Sequence, residues 1–356
     1  MRIALILSGN VFMSPFVNTY IRLLEQCKIK YDIIFWDRMG VGEDGFSFRK
    51  TSPADALYIK KIIDYIVYIF FVKKNILSGK YDKLVVFGIA LSFMLSHFLK
   101  TQYRNKYIID IRDDSVIRIY FGWRYKKVLK TAALTVISSK GFLQWLPKKF
   151  RYVINHNCVT KSNRVICMNE KDSKKIVIAN IGSIRDYKEN ADLLSVFAND
   201  WRIIIRYIGE GIAVSKLKKY AIQKKIKNIE FFGKYEKKDE QDLLQGVTII
   251  NGLTGSDKNS KTLLSNRLYL SVQNRVPIIV SNGSYQAQIV EKYGLGLAVN
   301  VLSDYKDYVL NYIKNYDRLQ YIRNCEKFEG IVEHEQLNFE EKVKEFFYEK
   351  KDMTYV

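Results

Sequence analysis

The amino-acid sequence predicts an α/β protein made of two Rossmann-like, doubly wound parallel-sheet domains facing a central cleft. Three observations carry this. The 356 residues exceed one ordinary domain and suit two. Short β-rich apolar runs alternate with longer helical patterns along most of the chain. A polar stretch without period, "CVTKSNRVICMNEKDSKK" at 158–175, interrupts the alternation before it restarts on a new strand.

The first strand is expected at 2–7, inside "MRIALILSGN", which lacks the small-residue cleavage site of a signal peptide. Further strands are expected at 31–36, 83–87, 107–110, 134–137 and 152–155. Two longer apolar runs fall short of the roughly 18 uninterrupted residues of a membrane span. "IIDYIVYIFFV" (62–72) is short and carries Asp64, and "LVVFGIALSFMLSHFL" (84–99) is broken by Gly88 and His97. Both read as buried helix and strand. The second half places strands at 176–181, 202–208, 228–232, 247–250, 277–280 and 297–299. From about 303 the pattern is helical and charged. The expected division is 1–165, 166–335, and a helical tail 336–356 that returns to the first domain.

Composition narrows the chemistry. The four Cys show no CxxC spacing and there are only three His, which argues for reduced thiols and against a zinc site or disulfide framework. No metal site is expected. The net charge of +21 is lopsided. Residues 1–165 hold 28 Lys and Arg against 11 Asp and Glu, whereas residues 166–356 hold 30 against 26. A basic half implies an anionic partner: nucleic acid, anionic lipid or a phosphorylated substrate.

Ligands of open α/β sheets bind beyond the carboxyl ends of the strands, so the residues after each strand are the candidates. After the first strand comes "SGNVFMSPF", where Gly9 permits close backbone approach. No GxGxxG fingerprint is present. The strand at 107–110 runs into "DIRDDS": Asp113 or Asp114 suits a helix N-cap, or Arg112 and Asp113 reach a substrate. "RIYFGWRYKKVLK" (118–130) mixes Trp123 and other aromatics with Arg124, Lys126 and Lys127. Such a mixture suits an anionic lipid interface, single-stranded nucleic acid, or partly buried aromatics with snorkelling cations.

In the second half, strand 176–181 runs into "GSIRDYKENADLL". Gly182 ends the strand, and Arg185 and Lys188 flank a helix start, a combination suited to phosphate. "RYIGEG" (206–211) ends a second strand at Gly209, and "IEFFGKYEKKDEQDLL" ends a third at Gly233. Three successive glycine-bearing strand ends fit a nucleotide lying over the sheet edge.

These segments resemble the GT-B glycosyltransferases, near glycosyltransferase family 4, of the kind that build bacterial capsule or O-antigen units. "IIDIRDDS" resembles the family's "DIRDLW", and "ALTVISSKGFLQWLP" its "ADxVTVxSEGFKEYLP". "VINHN" resembles the family's His-Asn or Pro-Asn-Gly strand end near the domain crossover. "IGSIRDYKENADLL" resembles the "GRLxxxKGxxxLL" phosphate loop, with Lys188 on the family's Lys and Ser183 where the family has Arg. "YIGEG" is similar to "VGDG" and "FFGKYEKKDEQDLL" to "FLGxVxxEELxxLL". "LLSNRLYLSVQNRVPIIVS" is similar to "ALPNKLYEYLASGKPVIAS", except that Leu270 stands where the family has Glu. The likeness runs from residue 2 to about 300.

The resemblance implies a nucleotide-sugar donor, UDP favoured and GDP possible, bound by Gly182, Gly209, Gly233, Tyr235, Asn266 and Arg267. Arg185 and Lys188 would neutralise its diphosphate. A lipid-linked sugar acceptor would meet Gly9, Asn10, Arg112 and His156, with Trp123, Arg124, Lys126 and Lys127 on an anionic membrane at its cytoplasmic face. No metal and no other cofactor is implied. The family analogy favours retention, in which a phosphate oxygen takes the acceptor proton. Inversion needs a base, Asp113 or His97. Because the family's Glu binds the ribose, Leu270 implies another ribose contact or a weaker grip. Two other readings remain: a non-catalytic relative in an envelope assembly complex, and a basic nucleic-acid-binding protein. The second lacks a binding motif, so no nucleic-acid partner is expected.

Overall fold

The computed structural model describes residues 1–51, 58–156, 175–300 and 305–348. The chain forms two compact units, Met1–His156 with Glu335–Val356, and Asn157–His334. The expected 165/166 boundary lies outside the described residues.

The first unit holds β1 (Arg2–Ile6), β2 (Lys30–Asp37), β3 (Phe46–Arg49), β4 (Lys83–Phe87), β5 (Tyr107–Ile111), β6 (Leu134–Ile137) and β7 (Val153–Ile154). They form one parallel sheet in the order β3-β2-β1-β4-β5-β6-β7. Its helices are α1 (Val17–Gln26), α2 (Tyr58–Gly79), α3 (Ile89–Met94), α4 (Ser96–Gln102) and α5 (Val116–Thr131). β4 and β5 are buried at every residue, which is why they read as apolar runs, with Lys83 and Asp110 as their charged members.

The second unit holds β8 (Ile176–Ile181), β9 (Ile203–Ile208), β10 (Ile229–Gly233), β11 (Ile249–Gly252), β12 (Ile278–Ser281) and β13 (Gly296–Val299). They form a parallel sheet in the order β10-β9-β8-β11-β12-β13. Its helices are α6 (Tyr187–Phe197), α7 (Val214–Gln223), α8 (Glu240–Leu243), α9 (Lys258–Thr262), α10 (Asn266–Gln273), α11 (Tyr285–Tyr293) and α12 (Tyr305–Lys314). α11 shows how local sequence sets a boundary. Ser284 accepts from the Ala287 amide at 3.0 Å to start it, and Gly294 ends it in the left-handed conformation.

The last helix, α13 (Arg318–Tyr348), contributes to both units. Tyr321, Cys325 and Phe328 enter the second unit's core. Phe339, Val343 and Phe347 enter the first unit's core beside Tyr20 and Leu23 of α1.

The two-sheet expectation agrees with the structure, with two corrections. β3 was not expected: it is a four-residue edge strand whose Phe46 and Phe48 alternate with Ser47 and Arg49, too short for a periodic signal. The run 62–72 is not buried all round. It lies within α2, which packs Tyr68, Val72 and Ile76 inward and leaves Ile62, Ile63, Ile66 and Phe70 exposed. Among the described residues, no helix is long and apolar enough to cross a membrane.

Candidate functional site

Each sheet reverses strand order once, between β1 and β4 in the first unit and between β8 and β11 in the second. The loops leaving those strands diverge and open a crevice, so each unit presents one candidate site.

In the second unit, the loops after β8 and β9 pack backbone against backbone. The Gly182 amide donates to Ile208 O at 2.9 Å, and the Gly209 amide to Gly233 O at 2.8 Å. A Cβ at Gly209 would lie 2.1 Å from the Gly182 carbonyl oxygen, at a φ of +127°. Only glycine fits there. Three glycines singled out in the sequence, Gly182, Gly209 and Gly233, therefore lie side by side.

The loop after β8 is held from two directions. Arg267, in the first turn of α10, donates from Nε to Ile181 O at 2.8 Å and from Nη2 to Ser183 O at 2.6 Å. Burial lowers the Arg267 pKa to about 10, an effect opposed by the Asp186 carboxylate, so the side chain stays cationic at neutral pH. From below, Asn190 of α6 donates to Asp186 O at 2.7 Å and accepts from Asn180 of β8. Asn251 of β11 donates to the same Asn190 oxygen at 3.2 Å and accepts from the Leu253 amide at 3.0 Å. All three Asn are buried. Sequence reasoning missed this network. Its signal was present: an Asn inside an apolar strand, twice, demands a buried partner.

Arg185 is exposed beside the α6 N-terminus, and the Lys188 side chain is 84% exposed with only Asp192 near it, at 3.8 Å. These two cations and the α6 dipole offer exposed positive charge at the end of β8. Tyr235 is half-buried and donates to Glu240 Oε1 at 2.8 Å. Burial and the Glu240 charge raise its phenol pKa, so it stays neutral. Asn266 is exposed at the first position of α10, and the preceding Ser265 Oγ is buried without a hydrogen-bond partner. Leu270 is 7% exposed and belongs to the core with Leu268, Val272 and Val280.

In the first unit, a pocket of about 330 Å³ is lined by Gly9, Phe16, Tyr65, Gly88, Arg112 and Asp113, among others. Its polar rim is tied together. Asn10 is 2% exposed. It donates to Asp37 Oδ1 at 2.8 Å and Glu43 Oε2 at 2.9 Å, and its own oxygen accepts from the Arg38 and Met39 amides. The hydrogen bond from Asn10 and the Gly42 amide hold the Asp37 carboxyl at about 2. Arg112 Nη2 donates to Asp110 Oδ2 at 2.8 Å, while Nε stands 2.6 Å from Oδ1. Tyr20 donates to the same carboxylate at 2.7 Å. Arg112 thus forms part of the pocket wall, while Asn10 braces the loop that continues from Gly9, and the polar atoms of both are largely engaged.

Asp113 is exposed on the pocket lining. Neither it nor Asp114 caps α5. Ser115 does, accepting from the Ile117 amide at 3.3 Å, because Asp114 is clamped by Arg118 at 2.6 and 2.8 Å. His156 is buried and paired with Glu335 Oε2 at 2.8 Å. Although burial opposes it, the bonds from His156 and Lys140 leave the Glu335 pKa lowered. His97 is exposed on α4 and does not line the pocket. On α5, Trp123 is exposed with Lys127 Nζ 5.1 Å over its ring, and Arg124 lies 5.3 Å over Phe93. Lys126 is exposed on the same helix. Among the described residues, no group of three or more His, Cys, Asp or Glu is placed to hold a metal ion.

No protein-family model and no curated protein sequence matches the chain. Solved structures match over nearly its whole length. WaaB, a lipopolysaccharide outer core galactosyltransferase in its apo form, shares 14% identity over 98% of this chain and 99% of its own, with a TM-score of 0.66. The sucrose-phosphate synthase of Thermosynechococcus elongatus shares 11% over 98% and 99%, with a TM-score of 0.69. The Anabaena protein HepE in complex with UDP shares 11% over 97% and 100%, with a TM-score of 0.66. At these identities the likeness shows the fold: the chain has the GT-B fold of these glycosyltransferases.

Proposed function

We propose that the chain is a glycosyltransferase that moves a sugar from a nucleotide-sugar, UDP-linked by preference, to a polyprenyl-diphosphate-linked sugar. It would act in bacterial surface polysaccharide synthesis, on the cytoplasmic face of the membrane. The observation that carries the reading is the second unit's strand-end site. Three glycines clear the backbone there, while Arg185, Lys188 and the α6 N-terminus supply positive charge.

The chemistry follows from that charge. Sugar transfer leaves a diphosphate on which negative charge develops as the glycosidic bond breaks. Fixed cations and a helix N-terminus stabilise that charge without reorganising, and so act on the transition state. Arg267, held by the Ile181 and Ser183 carbonyls, would keep the loop in register for the nucleotide. In a retaining reaction a phosphate oxygen receives the acceptor proton. Asp113, on the lining of the first unit's pocket, is the acidic side chain placed to orient an acceptor hydroxyl. With Leu270 in the core, the ribose hydroxyls need another acceptor. Glu240, which accepts from Tyr235, would be a candidate.

The test is calorimetric titration with UDP, GDP and CMP, followed by mass-spectrometric assay of sugar transfer to a lipid-diphosphate-sugar. UDP binding with transfer is expected. Failure to bind any of the three overturns the enzyme reading and leaves the non-catalytic one.

A further inference from the structure

α2 runs 22 residues, about 33 Å at the helical rise. Its inward side packs on the sheet: Tyr65 and Tyr68 meet Trp36 of β2 at 5.8 and 5.2 Å, and Phe71 meets Phe48 of β3 at 5.4 Å. The opposite side is just as apolar and is left uncovered by the described residues. Ile59, Ile62, Ile63, Ile66, Val67 and Phe70 are all exposed, Ile59 by 73% and Phe70 by 67%, and Leu77 continues the row. Their spacing, repeating every three to four residues, sets them in one stripe along the helix. Isolated surface apolar residues are ordinary, but a contiguous apolar stripe from Ile59 to Phe70 marks an interaction surface.

Charge indicates what covers it. Lys60 and Lys73 fall on opposite flanks of the stripe by helical position, and Lys74 falls within it. The helix carries one acid, Asp64, which is buried and paired with Lys50 at 2.5 Å. Nothing acidic interrupts the exposed side. Two copies meeting stripe to stripe would bring lysine against lysine, in a chain of net charge +21. An anionic lipid surface instead takes the apolar row at acyl-boundary depth and meets the lysines at its headgroups. The same helix also reaches the pocket: Tyr65, on its inward side, lines the first unit's pocket.

We propose that α2 is an in-plane membrane anchor, seated in the interface of an anionic bilayer, that sets the first unit's pocket at the lipid surface. This surface is distinct from the basic aromatic α5. Its test uses neither donor nor acceptor, so it stands or falls apart from the transferase reading.

The whole chain is sedimented with vesicles of phosphatidylcholine alone, and with about a third phosphatidylglycerol. Binding is expected to the anionic vesicles only. Ile63→Gln with Phe70→Gln, both exposed and both compatible with helix, should lower that binding about tenfold or more with the circular dichroism unchanged. In a second readout, Phe70→Trp in a Trp123→Ser background should lose fluorescence to lipids brominated on their acyl chains. The proposal is overturned if the double variant binds like the parent, or if Trp123→Ser with Lys126→Glu alone abolishes binding. It is also overturned if the parent self-associates in lipid-free buffer and the double variant only makes it monomeric.

Discussion

Arg112 and Arg185 each follow a buried parallel strand, one after β5 and one after β8, yet their surroundings differ. Arg112 is drawn into a buried carboxylate that also accepts from Tyr20. Arg185 is exposed. The contrast extends around both sites. In the first unit, acids and cations pair with one another: Asp110 with Arg112, Asp114 with Arg118, Glu335 with His156 and Lys140. Exposed apolar side chains also stand in that unit, as in Phe12, Met13 and the α2 stripe. In the second unit, neutral amides and the buried Arg267 hold the loop after β8, and Arg185 and Lys188 stand open. One site offers shape and apolar surface, and the other offers charge.

The largest expected effect comes from the pair of arginines. Arg112→Ala strands the Asp110 carboxylate in the interior and should cost about 3–5 kcal/mol in denaturant unfolding. Arg185→Ala should change stability by less than about 0.5 kcal/mol while weakening UDP binding. Equal effects on stability would erase the distinction between the sites.

Leu270→Glu comes next. Leu270 lies in the core, so the carboxylate would be buried among apolar side chains. A loss of about 3 kcal/mol is expected, without tighter nucleotide binding. Tighter UDP binding with stability preserved would put position 270 against the ribose instead.

Lys188→Ala is a smaller and more selective change. It should weaken UDP about tenfold, roughly 1.4 kcal/mol, and leave uridine unaffected, as titration calorimetry would show. Equal losses for both ligands would remove Lys188 from the diphosphate.

The smallest effect is acid sensitivity in the first unit. The folded Asp37 pKa is depressed to about 2 from 3.8. The unfolded chain therefore binds the proton first as pH falls, and the stability Asp37 contributes is complete above the unfolded value. It is lost as pH drops through about 2. Asn10→Ala removes the main hydrogen bond and should flatten that acid limb of melting temperature against pH.

The sequence revealed what burial and backbone geometry dictate. β4 and β8 are legible because a strand covered on both faces is mostly apolar, and Gly209 because no other residue fits beside Gly182. It revealed less where the deciding fact is tertiary. Arg112 and Arg185 look alike until Asp110 is seen beneath one of them. Asp113, Asp114 and Ser115 are all good caps, and Arg118 settles the choice by occupying Asp114. α2 is apolar all round, so periodicity alone cannot tell which side is covered. β3 was lost because four residues are too few to show a period.

The amide network of Asn180, Asn190 and Asn251 has one more consequence. It contains no titratable group and no ion pair. Protons and salt that reshape charge pairs elsewhere leave these bonds as they are. Any change in nucleotide affinity with pH or ionic strength at this site then reports on the ligand's phosphates, the cations facing them and Arg267, which holds the loop from the other direction. The amide part of the support contributes a constant background.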